Sequence, residues 1–151
     1  MNKRKNYMTI SLMIIFSLKL SSCNFSPGSY PYAEEYEINV NESVLIKAVE
    51  DFKKSSPQYI VPNYLQIKDG RYTEKDLWYH IYFYYPDEIQ IINAWLRPSD
   101  KGHTTLAFVG VNQGLTLGHW KEINKDFNNS ENQLQKKRFE ERILNKIKEK
   151  L

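Results

Sequence analysis

Apolar positions along the chain recur with two different periods, and the change of period divides it into elements. Between Asn41 and Ser56, Val44, Leu45, Ala48, Val49 and Phe52 share one stripe at helical spacing, and Pro57 closes the segment. YIVPNYLQIK (59–68) reads as a strand that Pro62 confines to a sheet edge. From residue 76 the period drops to two. DLWYHIYFYY (76–85) and IQIINAWLR (89–97) flank YPDE, where Pro86 and Asp87 suit the central positions of a type I turn. HTTLAFVGVN (103–112) and LTLGHWKEI (115–123) follow, joined through Gln113 and Gly114. Towards the C-terminus, Phe139, Ile143, Ile147 and Leu151 recur every four residues beside Leu144, and Ser130 with Gln133 forms a capping box. The pattern predicts an α+β fold: an N-terminal helix, an antiparallel meander of about five strands and a C-terminal amphipathic helix.

Alternation also assigns the faces of the sheet. If Tyr85 pairs with Glu88 across the turn, Trp78 faces Trp95, His80 faces Asn93, and Tyr82 faces Ile91. Arg97 then pairs with His103 beyond the PSDKG loop. Tyr79, Ile81, Phe83, Ile92, Ala94 and Leu96 lie on the opposite, greasier face, which Leu106 and Phe108 extend and which is expected to pack on the helices. The mixed face gathers Trp78, His80, Tyr82, Asn93, Trp95 and Arg97. Two readings fit it. Aromatic cross-strand pairs stabilise a half-buried sheet, and Trp, Tyr and Arg are also the residue types that dominate binding energetics.

Catalytic templates are missing from the chain. There is no Gly-x-Ser-x-Gly, no phosphate loop and no His-Glu-x-x-His. Gly110, Gly114 and Gly118 sit four apart between strands, where turns and bulges account for them. His80, His103 and His119 fall in different strand segments without the short spacing a metal site uses, so neither a metal nor a cofactor is expected.

The N-terminus changes the meaning of the charge. Lys3, Arg4 and Lys5 precede an apolar run from Met8 to Leu18 that is too short to span a bilayer. Residues 1–22 hold four of the 21 basic residues and none of the 18 acidic ones. The net charge of +3 therefore becomes slightly negative beyond Ser22, and the basic face that a nucleic-acid binder needs is lost. Cys23 is the only cysteine, so no intramolecular disulfide can form.

Leu20-Ser21-Ser22-Cys23, placed behind that basic and apolar segment, resembles the lipobox of bacterial lipoproteins. Lys19 departs from the apolar character usual at its position. The resemblance implies cleavage before Cys23, a diacylglycerol on its thiol and an acylated new amino terminus, enough chains for a stable anchor. In overall layout the remainder resembles the small uncharacterised lipoproteins of Bacteroidota-type genomes, a likeness that implies no activity. The expected organisation is a signal peptide at 1–22, a lipidated tether at 23–37 and one α+β domain at 38–151. Asn24 behind the cysteine and the late start of the acids at Glu34 point to the outer membrane, facing the periplasm. The function expected is a non-enzymatic binding or structural domain in the cell envelope. Its partners are the membrane, through the anchor, and a protein or glycan of the envelope. The alternative is a small hydrolase or isomerase using His80 or His119 as general base.

Overall fold

The computed structural model describes residues 30–99 and 102–151; the targeting segment and Cys23 lie outside them. Strands β1 (Glu34–Ile38), β2 (Tyr79–Tyr85), β3 (Gln90–Pro98), β4 (Thr104–Gln113) and β5 (Trp120–Glu122) form one open antiparallel sheet. The helices are α1 (Glu42–Ser55), α2 (Asn129–Phe139) and α3 (Asn145–Lys148), the last two joined by a π-helical turn at Glu140–Leu144. The sheet runs β1-β4-β3-β2. β5 shares one edge of β4 with β1, the two lying end to end: β1 pairs with Thr104–Phe108 and β5 with Gly110–Asn112.

That shared edge depends on a bulge. Asn93 pairs with Gly110 but Ala94 pairs with Phe108, so Val109 is the extra residue. The bulge turns the Val109 carbonyl to the Ile123 N–H, which donates to it at 2.9 Å. At Gly110 the β5 backbone comes so close that a Cβ would stand 2.5 Å from the Lys121 carbonyl oxygen. Only glycine fits there. Polar side chains close the seam between β5 and β1. Asn124, at φ 61°, donates through Nδ2 to the Tyr32 carbonyl and to Glu34, each at 3.0 Å. Asn132 of α2 accepts from the Asn124 N–H and donates to its Oδ1, while Lys136 reaches Glu34 at 3.1 Å.

One face of the sheet forms the main core. Ile81, Phe83, Tyr85, Ile92, Ala94, Leu96, Leu106, Phe108 and Val111 meet Leu45, Ala48, Val49 and Phe52 of α1. Phe139, Ile143, Leu144 and Ile147 complete it from the C-terminal segment, with Phe108 and Phe139 stacked at 4.5 Å. A four-residue spacing advances 400° on an α-helix and drifts 40° per step. The wider π turn absorbs that drift and keeps Phe139, Ile143 and Ile147 all buried.

Several sequence expectations need correction. Residues 34–37, read as the end of a tether, are strand β1 with Ile38, because Tyr36 and Ile38 alternate inward between glutamates. Residues 59–68 form no strand; Pro57 and Pro62 each set up a 3-10 turn, at Pro57–Tyr59 and Asn63–Leu65. The first hairpin pairs Tyr85 with Gln90, two residues beyond the register expected, since Pro86–Ile89 all belong to the turn and Ile89 takes φ 53°. The next hairpin shifts equally, with Arg97 opposite Thr105 and not His103. A slip of two leaves every side chain on its own face. The cap of α2 is Asn128, which accepts from the Glu131 N–H at 2.9 Å; Ser130 lies inside the helix. Val44 and Leu151, counted in apolar stripes, are exposed.

Candidate binding face

The second face of the sheet carries the residues singled out for binding. Their placement follows from the corrected register. His80 pairs with Trp95 and Tyr82 with Asn93, while Trp78 stands just outside β2, level with Arg97. The Arg97 guanidinium lies 4.5 Å from the Trp78 ring centre, in cation–π geometry. The Trp78 and Trp95 rings are 4.1 Å apart as diagonal neighbours, not as the directly opposed pair expected. All six residues are thus brought onto one side, but at very different depths. Trp95 is 1% exposed, His80 2% and Tyr82 8%; Trp78, Asn93 and Arg97 are half-buried.

Among the described residues no α-helix covers this face. Two irregular segments do. Tyr30 and Ala33 pack with Trp78, Trp95, Ala107 and Val109, the Tyr30 ring meeting Trp78 edge-on at 5.7 Å. Val61, Leu65 and Ile67 pack with Tyr82, Tyr84 and Ile91. From the same connection Tyr72 lays its ring on His80, with centres 4.1 Å apart, and hydrogen-bonds Tyr82 through the two hydroxyls. β5 contributes Trp120, whose ring centre is 6.4 Å from that of Tyr82.

The connection is pinned to β2 by backbone and charge. Gly70 exchanges both backbone hydrogen bonds with His80 at 2.9 Å. Asp69 accepts from the Tyr82 N–H at 3.0 Å, and Lys53 donates to the Tyr82 carbonyl at 2.7 Å and to Asp69. These contacts satisfy an edge strand that would otherwise offer free backbone groups. Burial pulls the Lys53 ammonium below its ordinary value, and Asp69 opposes the shift.

Asp76 organises the turn before β2. It accepts from the Trp78 N–H at 3.0 Å and stands 3.2 Å from His80 Nε2. The Trp78 N–H chiefly, with the Tyr72 N–H and His80, holds its carboxyl below the usual aspartate value. Burial raises the Tyr82 phenol above its normal value and the Tyr72 hydroxyl adds to the shift; burial also raises Tyr30. Beneath the cover, His80 Nδ1, Asn93 Oδ1 and Trp95 Nε1 are buried without a hydrogen-bond partner among the described residues. The face is therefore polar under its aromatic cover and has spare hydrogen-bonding capacity.

His103 and His119 are exposed. His119 belongs to a loop that the buried Asn112 side chain holds, accepting from the His119 N–H at 2.9 Å and donating to the Gly114 carbonyl at 2.8 Å. Among the described residues no three His, Cys, Asp or Glu side chains stand together as a metal-binding group. Sequence reasoning missed Tyr30, Tyr72, Asp76 and Trp120. Asp76 and His80 are four apart, a spacing that meets on a helix but reaches across here only because the chain turns at Asp76–Trp78. Comparison with protein-family models, curated proteins and solved structures finds no match to this chain.

Proposed function

We propose that the chain is a lipoprotein of the bacterial cell envelope, anchored through lipid on Cys23, whose domain acts by binding or as structure and not by catalysis. The single observation that carries this reading is Leu20-Ser21-Ser22-Cys23 placed behind a basic and apolar N-terminus. The anchored side is the outer membrane facing the periplasm, on the grounds of Asn24 and the late acids. Among the described residues no helix is long and apolar enough to cross a membrane. The finer arrangement belongs to the same reading: one α+β unit, with helices on one face of the sheet and an aromatic cover on the other.

A second reading has one observation in its favour, the 3.2 Å approach of Asp76 to His80, which could orient a general base. Against it stands the burial of His80 under the Tyr72 ring. A base must reach the proton it removes, and this imidazole is covered. The anchor is tested by growing cells on an alkynyl fatty acid and comparing the chain with Cys23→Ala. Label in the first and none in the second supports the reading; equal label, or none in either, overturns it.

A further inference from the structure

Exposed aromatic side chains are not spread evenly over the molecule. Among the described residues they are Tyr32, Tyr64, Tyr72 and Trp120. Each belongs to a segment that covers or borders the second face, and none to an α-helix. The helical side instead exposes ion pairs, among them Lys47–Asp51, Lys137–Glu141 and Lys146–Glu149. The exposed aromatic rings thus lie on one side, interleaved there with the exposed Lys68, Arg71, Glu74 and Lys75 of the connection.

The covalent path to the anchor ends on the aromatic side. Tyr30, the first described residue, is packed against Trp78 and Trp95. Seven residue steps separate it from Cys23, a reach of at most about 25 Å. A domain of this length has a radius of gyration of about 14 Å, so passing around it to the helical side takes on the order of 50 Å. The leash is too short for the helices to face the bilayer.

We propose that the aromatic side rests on the lipid surface in which Cys23 is anchored. This deepens the reading above and depends on lipidation of Cys23. Tyrosine and tryptophan favour the headgroup level because each pairs an apolar ring with a polar tip. Arg97 over Trp78 and Lys125 over Tyr32 at 5.3 Å place cations beside the rings at phosphate depth, Lys125 being shared with Glu122. The contact need not be strong. A short tether holds the surface at an effective concentration of order millimolar.

The test uses the full lipidated chain, purified from cells and reconstituted in vesicles of phosphatidylethanolamine and phosphatidylglycerol with or without bromine on the upper acyl chain. All three tryptophans, Trp78, Trp95 and Trp120, lie on the aromatic side. Brominated lipid should quench their emission, and Trp120→Phe should remove most of the quenchable part. Leu134→Trp in that background puts the reporter on the helical side and should leave the added emission unquenched. A nitroxide on Tyr64→Cys should report headgroup depth independently of any tryptophan variant. Unquenched emission from the lipidated chain, or quenching of the Leu134→Trp reporter equal to that of Trp120, overturns the inference while leaving the anchor intact. A purified chain without lipid on Cys23 overturns both.

Discussion

At the scale of single residues, Gly110 makes the most demanding contact in the sheet. Gly110→Ala would set a methyl 2.5 Å from a backbone oxygen that has no flexible end to move aside. The expected cost is about 1–3 kcal/mol, read as a shift in denaturant midpoint; a change below about 0.5 kcal/mol would mean that β5 does not approach β4 in this way. That turns and bulges account for the glycines of VGVNQGLTLG was legible, but the close approach of β5 at Gly110 was not. The shared face of Trp78, His80, Tyr82, Asn93, Trp95 and Arg97 was legible. Parity along a strand is a local property, so those six kept their side even though both hairpin registers moved by two. Depth was not legible. Whether Trp95 is open or sealed depends on Tyr30, and whether His80 is depends on Tyr72, and both tyrosines come from segments without periodicity.

At the scale of elements, the C-terminal segment offers a sharp comparison. Asn128 makes the capping hydrogen bond to Glu131, and Ser130 makes none. Asn128→Ala should cost about 1 kcal/mol, whereas Ser130→Ala should stay within about 0.5 kcal/mol; thermal melts of the two variants decide between the caps. Ile143 is wholly buried in the π turn. Ile143→Asp buries an unpaired carboxylate and should cost several kcal/mol, and an unchanged melt would show that the segment is not docked. Helices with wide apolar stripes could be read from sequence because burial leaves a 3.6-residue trace. β1 could not, since Tyr36 and Ile38 alternate with the exposed Glu35 and Glu37, and Glu34, on their own side, is paired with Lys136. Residues 59–68 misled for the converse reason: Val61, Leu65 and Ile67 are apolar because they cover the sheet, not because they join it.

At the scale of the whole molecule, packing of tyrosines on both faces gives a pH signature. Burial raises Tyr30, Tyr36, Tyr79, Tyr82 and Tyr85 above the ordinary value of 10.0. The unfolded chain would ionise these phenols at lower pH than the folded one. Their contribution to stability is therefore complete below pH 10.0 and is lost as pH rises through the folded values. Phenolate absorbance near pH 11 should be clearly lower in the native protein than in urea, and superimposable titrations would contradict the packing described. The exposed aromatic rings on the side away from the helices are what the proposed orientation towards a lipid surface rests on.

The proposed function depends on lipid at Cys23, and the intact mass of the purified protein tests it most directly. The account predicts a chain that begins at Cys23 and carries diacylglycerol on the thiol with acyl on the amino group. A chain that retains residues 1–22, or one whose Cys23 thiol is free to react with an alkylating reagent, would contradict it.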